Sequence, residues 1–366
     1  MIRKLYRAFS IFVTRTILVL KFVLHYKKHI CKPSYYPEKE HKTRFRIFCD
    51  FISHIIRHGV LDISYFELGL DVSGNSYDNY LSYHQFMKRR DRLNLAGPYN
   101  YVCLLRNKSL FATLCDAWNI PSVKDLAIIR DGVLYNAGNT SFVSILKEYG
   151  HLFIKPTDSK KGVDIHKIDY EDGKIFLNGG MCTEESVEKF INDITAKSDF
   201  IVQERLVQHP DISAIYSHSI NTVRIVTVND MKSFNCDDVH VLGGELRIGA
   251  NGNFTDNISA GGVKVGIDRD GKLCRYGYFS SKYGTKTTAH PDTGTVFEGY
   301  SIPFYKESLD LCKRAHSLMK EIHLIGWDIA ITEKGPVLIE GNDSCGTDFQ
   351  VLFGPMKEVY NKYLPE

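Results

Sequence analysis

The 366 residues are 43% hydrophobic and 24% charged, with a formal net charge of +3. A chain of this length can fill two or three lobes around a large core, and so small a net charge excludes nucleic acid as the expected partner. Nine cysteines stand at 31, 49, 103, 115, 182, 236, 274, 312 and 345 with no close pair; that scatter fits reduced thiols in the cytoplasm, not a disulfide framework or a zinc site.

Residues 1–32 hold eight Lys or Arg and no acid. At 100° per residue, Arg3, Lys4, Arg7, Ser10, Thr14, Lys21, His25 and Lys28 share one helix face. Ile2, Leu5, Phe9, Phe12, Val13, Leu20, Val23 and Leu24 share the opposite one. Arg15 and Lys21 interrupt the apolar run, which argues against a transmembrane span. The charges run throughout with no small-residue cleavage site, which argues against a signal peptide. Such a basic amphipathic helix can lie on an anionic membrane surface at the cytoplasmic face. Packing on its own domain with a solvated basic face is the alternative. Residues 32–42 carry two prolines and read as a linker. Residues 43–98 read as mostly helical, with a break around Asp71–Asn75 and aromatics that belong to packing.

From about Tyr99 the texture changes to short strands and helices. A helix is expected over Asn107–Trp118, strands around 126–130 and 133–135, and a helix near 140–149. His151–Pro156 reads as a buried strand carrying Lys155. The loop Thr157-Asp158-Ser159-Lys160-Lys161-Gly162 and a strand over 163–168 follow. Strand, loop of hydroxyls and lysines, then strand is a weak phosphate-cover pattern, and a plain polar hairpin turn competes with it. Next come a helix at 183–195 and strands at 200–206, 222–228, 239–247 and 263–267. A turn-rich loop, Asp256-Asn257-Ile258-Ser259-Ala260-Gly261-Gly262, precedes the last of these strands, and a helix is expected over 304–322. Arg224 lies between Val223 and Ile225. An arginine in a buried strand needs an anionic partner, from protein or ligand.

Two apolar runs within Gly326–Asp343 flank Glu333, Lys334 and Gly335, which reads as a hairpin with a three-residue loop. That loop sets Thr332 opposite Pro336, Ala330 opposite Leu338, and Asp328 opposite Glu340. Alternation then places Asp328, Glu340 and Asn342 on one face. Two buried carboxylates either share a proton or hold a cation. With the Asn342 carbonyl they form an all-oxygen set that suits magnesium rather than zinc. A solvated hairpin with surface charges is the competing reading, but both acids sit in the apolar runs and not in the turn.

Taken in order, Lys108, Lys155, the Ser159-Lys160-Lys161-Gly162 loop, Gln203-Glu204, Arg224, Arg247, Asn257 with Gly261-Gly262, Asp328, Glu340 and Asn342 resemble the ATP-grasp superfamily of carboxylate–amine ligases. The Gln-Glu pair, the two arginines, the Asn-then-Gly-Gly loop and the Asp…Glu-x-Asn ending resemble its glutamate-ligase branch. Asn221–Ile225, Leu246–Gly249 and the stretch from His290-Pro291 to Asn342 resemble in particular the ATP-grasp proteins associated with sugar transfer and polysaccharide biosynthesis. The resemblance runs over roughly 60 to 366.

It implies an α+β fold in which two lobes clasp ATP, preceded by a helical N-terminal region. The chain would divide into a basic helix (1–32), a helical region (43–98) and an ATP-grasp domain (99–366). In that domain about 107–202 would include the small phosphate-covering lobe, and about 203–366 would form the Mg2+-binding lobe. Lys108 and Lys155 would contact the ATP phosphates and adenine side, and the 159–162 loop would close over the phosphates. Gln203 and Glu204 would lie at the adenine hinge, with Asp211 near the ribose. Asp328, Glu340 and Asn342 would hold Mg2+. Arg224, Arg247 and Asn257 would serve the transferred phosphoryl group and an acyl-phosphate. The substrates implied are a small-molecule or glycan carboxylate and an amine, joined in the cytoplasm, peripherally on the inner membrane face. A catalytically degenerate nucleotide-binding scaffold and a membrane-surface interaction protein are the rival readings.

Overall fold

The computed structural model describes residues 2–138, 140–158, 164–229, 235–346 and 348–365, so the expected phosphate loop at Ser159, Lys160, Lys161 and Gly162 lies outside the described residues. The chain divides into two compact units: residues 1–92, 278–287 and 346–366, and residues 93–277 with 288–345.

The first unit is largely helical. Ile2–Leu24 is one long helix, followed by the short helix Tyr26–Ile30. The stretch read as mostly helical resolves into Arg44–His58 and Tyr83–Asn94, with turns between them. Thr43 opens the Arg44–His58 helix by accepting a hydrogen bond from the Arg46 amide, and Gly59 closes it with φ 72°. The long first helix docks on this neighbour through Phe22, whose ring lies 5.3 Å from those of Phe48 and Phe51, and through Arg15, which donates to the Arg57 carbonyl. The docking face is therefore not the apolar face expected from the sequence: Phe9, Phe12, Leu20, Val23 and Leu24 are all exposed. No described helix is long and apolar enough to cross a membrane.

The second unit carries two antiparallel sheets. The first is built from β1 (Asp125–Arg130), β2 (Val133–Tyr135), β3 (His151–Pro156), β4 (His166–Glu171), β5 (Lys174–Leu177), β6 (Gly180–Cys182) and β7 (Phe200–Glu204), in the order β2-β1-β7-β3-β4-β5-β6. Helices Phe142–Tyr149 and Glu184–Thr195, each capped by a hydroxyl (Ser141 and Thr183), press Ile145, Leu146, Val187 and Ile191 onto its apolar face. The strand expected over 163–168 is β4, displaced to His166–Glu171. Strands β5 and β6 were not foreseen: at four and three residues they are too short for a period to show.

The second sheet uses β8 (Thr222–Asn229), β9 (Val239–Ile248), β10 (Val263–Ile267) and β11 (Leu273–Tyr278). β12 (Lys286–Thr287) falls in the first unit, and β13 (Leu324–Thr332) and β14 (Gly335–Asn342) complete the order β11-β10-β9-β8-β13-β14 in the second. One face is covered by the Tyr305–Leu318 helix, shorter than the expected 304–322, and by the helices Cys103–Arg106 and Lys108–Ala117. Trp327 is fully buried under this layer, 6.2 Å from the His316 ring and 6.4 Å from Phe111. A Cβ at Gly341, its cross-strand neighbour, would come within 2.8 Å of Leu105, so glycine lets the helix layer approach.

The polar groups under that layer are satisfied as a set. Thr227 accepts from the Trp327 indole at 2.7 Å, and its own proton goes to His316 Nδ1 at 2.6 Å, while His316 Nε2 donates to the Ile322 carbonyl at 2.7 Å. Burial holds His316 neutral by pushing its pKa down to about 4. Thr227→Val keeps the shape but strands the indole N–H and Nδ1. It should lower unfolding stability by about 2 kcal/mol, read as a shift of the urea midpoint without a change in slope.

Candidate active site

The open face of the second sheet is charged, and its register explains the arrangement. Asp328 pairs with Glu340 on one side and with Arg224 on the other, and Arg224 pairs with Glu245. Directly opposed residues in an antiparallel sheet share a face. Glu340, Asp328, Arg224 and Glu245 therefore form one row across four strands. Two residues along, a second row holds Thr222, Arg247 and Lys264. Acids gather at the β13–β14 side and cations toward β9 and β10.

The Asp328–Glu340 pairing was expected, but by another route. The hairpin turn has two residues, Glu333 and Lys334, with Thr332 opposite Gly335 and Ala330 opposite Val337. A bulge at Ile339 then restores the alignment, because Ile329 faces Leu338 while Asp328 faces Glu340. Two departures from the simple hairpin thus cancel at the acids.

Asp328 receives a two-pronged hydrogen bond from Arg224, Nε to Oδ1 and Nη2 to Oδ2. Burial opposes both charges. Asp328 and Glu245 nevertheless hold the guanidinium charged, and Arg224 and Arg247 hold the Asp328 carboxyl below the ordinary carboxylate range. At Glu340 burial and Asp328 push the pKa up, against the Asn342 amide and Arg224. Asn342 bridges both acids through Nδ2, 3.2 Å from Asp328 Oδ2 and 2.9 Å from Glu340 Oε1. Two convergent carboxylates, Asp328 buried and Glu340 half-buried, could hold a hard divalent cation, and a half-turn of the Asn342 amide would add its oxygen.

Two lysines stand toward Glu340, one on the first sheet and one at the start of a helix. Lys108 opens the Lys108–Ala117 helix, which Asn107 caps at the Leu110 amide, and its own amide donates to the Thr157 carbonyl at 2.8 Å. Burial lowers its pKa, while Glu340 and Asp158 pull it up. Lys155 on β3 is likewise lowered by burial; Lys108 works in the same direction, and Glu340 and Asp125 oppose it. Gln203 on β7 is buried and donates to Asp125 Oδ1 at 2.7 Å. Glu204 ends β7, half-buried, opposite Leu152.

Other expected residues stand at the margin. Asn257 caps a short turn by accepting from the Ser259 amide at 3.0 Å. The following glycines are structural: Gly261 has φ 103°, and a Cβ on Gly262 would meet the Ile248 carbonyl at 2.8 Å. The Asp211 carboxylate is exposed beside His209 at 3.7 Å and takes no part in the charged rows.

Four acids were missed. Glu245 accepts from Arg247 Nε at 2.8 Å, and its Oε2 is buried without a hydrogen-bond partner among the described residues. Asp256 accepts from the Thr222 amide and hydroxyl, and burial pushes its pKa up to about 6. Asp125 begins β1, also with one orphaned oxygen, and burial pushes it up to about 6. Asp343 takes a two-pronged contact from Arg106, at 3.1 and 2.6 Å, tying the end of β14 to the helix before Lys108. For Glu245 and Asp125 the signal was an acid within or at the start of an apolar strand, the same signal that singled out Asp328.

The two antiparallel sheets with their covering helices, the second sheet carrying the charged face, make the mixed α+β arrangement of an ATP-grasp fold. Residues 89–359 match the family of sugar-transfer associated ATP-grasp proteins, and the chain belongs to that family. Among solved structures, it is similar to D-alanine–D-alanine ligase from Bacillus anthracis at 9% identity and a TM-score of 0.40, covering 72% of this chain and 68% of that one. For an L-amino acid ligase from Bacillus licheniformis the figures are 12%, 0.42, 76% and 52%. For D-alanyl-alanine synthetase A from Vibrio cholerae they are 16%, 0.39, 66% and 56%. The chain thus spans between about half and two thirds of those proteins. No curated protein matches it.

The raised carboxyls set a pH dependence. Asp125 has a folded pKa of about 6, above its unfolded value, so the folded state binds the proton more tightly. Stability falls as pH rises from about 4 to about 6 and is then level. Asp125→Asn, which still accepts from Gln203, should flatten that part of the profile and gain on wild type at pH 8 relative to pH 4. Urea midpoints measured at both pH values check this.

Proposed function

We propose that the protein is an ATP-dependent, ADP-forming ligase that joins a carboxylate to an amine through an acyl-phosphate. The carboxylate belongs to a sugar or polysaccharide intermediate, and the amine is an amino acid or another amine. The observation that carries this reading is the row Glu340–Asp328–Arg224–Glu245, with Arg247 beside it: acids and fixed guanidinium groups on one buried face.

In the first step a carboxylate oxygen bonds to the γ-phosphorus of ATP as the bond to the β-phosphate oxygen breaks, and ADP leaves. In the second step the amine attacks the acyl carbon and sheds its protons, and phosphate departs with the C–O electron pair. Neither step needs a protein nucleophile; both need positioning and positive charge. Asp328 fixes Arg224 and Glu245 fixes Arg247, so both guanidinium groups are aimed before substrate arrives. They would take the transferred phosphoryl group and the acyl-phosphate, with Asn257 at the edge of the same loop. Lys108 and Lys155 would meet the phosphates and the adenine side, and Ser159, Lys160, Lys161 and Gly162 would close over them. Gln203 and Glu204 would line the adenine hinge, and Asp211 would lie toward the ribose. Asp328, Glu340 and Asn342 would hold Mg2+, which supplies neutralisation of the phosphate charge.

The family's association with sugar transfer supports the sugar side of the reading. Scattered thiols and the basic first helix support work in the cytoplasm at the inner face of a membrane. The test is a pooled screen of uronic acids and amino acids, reading ADP and product mass. Wild type should release ADP with a carboxylate present and give a product lighter than the summed substrates by one water. Glu340→Ala and Arg224→Ala should each lower turnover by at least about a hundredfold. Full turnover in both variants overturns the mechanism, and nucleotide binding without carboxylate-stimulated ADP release makes the chain a scaffold instead.

A further inference from the structure

We infer that the first helix seats the chain on an anionic lipid bilayer, lying in the plane of the surface with one apolar stripe inserted. The inference deepens the membrane placement proposed above and is independent of the ligase chemistry.

The helix has three functional sides. Around its axis, Arg15 and Phe22 face the Arg44–His58 helix, and Phe22 is 2% exposed against Phe48 and Phe51. Beside that docked side, on the exposed part of the circumference, Phe9, Phe12, Leu20, Val23 and Leu24 form a stripe about 22 Å long. Phe9 is 66% exposed and Leu24 75%. Tyr6 and Ile17 border the stripe and are exposed as well. Lys21, also exposed, falls on its flank, and Lys28 is exposed on the short helix that follows. Removing aromatic and aliphatic side chains from water is favourable, so a contiguous row of them left in water marks a surface that something covers.

The unit continues this character on the docked neighbour. Phe45 and Ile56 lie three turns apart on one face of Arg44–His58 and are exposed, as are Arg44, Arg46 and Arg57. Charge decides what covers these surfaces. The first 32 residues hold eight Lys or Arg and no acid. Two copies meeting through the stripe would bring like charges together, whereas anionic headgroups would neutralise them at the depth where lysine stems reach. An apolar stripe with a basic flank, on a helix that does not cross a membrane, is the pattern of an in-plane anchor.

The experiment is flotation of the full chain with vesicles of phosphatidylcholine containing about 30% phosphatidylserine, and with phosphatidylcholine vesicles, at low and high salt. Wild type should float with the anionic vesicles, float about tenfold less with neutral ones, and be released by salt. The triple change Phe9→Ser, Phe12→Ser, Leu20→Ser should reduce flotation at least about tenfold while leaving the melting temperature unchanged, since these side chains touch solvent. Lys21→Glu with Lys28→Glu should remove the preference for the anionic vesicles. Equal flotation of wild type and the triple variant overturns the inference, as does a wild type that stays at the bottom of the gradient. Sedimentation showing a dimer that the triple variant dissolves, without flotation, assigns the stripe to a second copy and overturns it too. Turnover on soluble substrates should be the same in wild type and the triple variant, so loss of flotation and loss of ligase activity are read separately.

Discussion

The Arg224–Asp328 pair sits at the centre of the charged sheet face, and it constrains every charge around it. Both groups are buried, and neither would persist charged without the other. With Asp328 committed to Arg224, burial and the neighbouring Asp328 push the Glu340 pKa up, and Lys108 and Lys155 are the cations that feel its charge. On the other flank Glu245 holds Arg247 as Asp328 holds Arg224. The face is thus a set of interlocked pairs, with both guanidinium groups fixed by carboxylates and Glu340 at the end of the row.

The apolar layer on the opposite side makes this affordable. Trp327, Ile329 and Ile331 alternate with Gly326, Asp328 and Ala330 along β13, so one strand anchors the core and displays the site. Thr227, His316 and the indole of Trp327 satisfy one another below the sheet, which leaves no need for polar side chains to compete across it. Gly326 keeps the charged side open: a Cβ there would lie 3.4 Å from Arg224 Nη1 and 2.8 Å from Cys345.

The large sheet was legible in the sequence because its strands are long apolar runs, and β8, β9 and β10 emerged within a residue of where the pattern put them. An acid or arginine inside such a run is conspicuous, which is why Asp328, Glu340 and Arg224 could be singled out and why Glu245 should have been. The small strands β5 and β6 carry no comparable run, and their hairpins are set by partners distant in sequence. The basic helix read over residues 1–32 ends at Leu24, and periodicity cannot say which side a helix turns to its neighbour. A single aromatic, Phe22, outweighed the larger apolar stripe because it meets two phenylalanine rings.

The bulge at Ile339 has a consequence for how this hairpin can vary. With a two-residue turn and no bulge, Asp328 would face Ile339, and Glu340 would fall opposite Trp327 on the helix-covered side. The turn at Glu333-Lys334 is remote from the acids and free to change composition, or to lengthen by one residue if the bulge is lost at the same time. The phase of β14 behaves as a combination lock with two dials: either setting opens on the same pair of carboxylates, and moving one dial alone buries a charge beneath an indole.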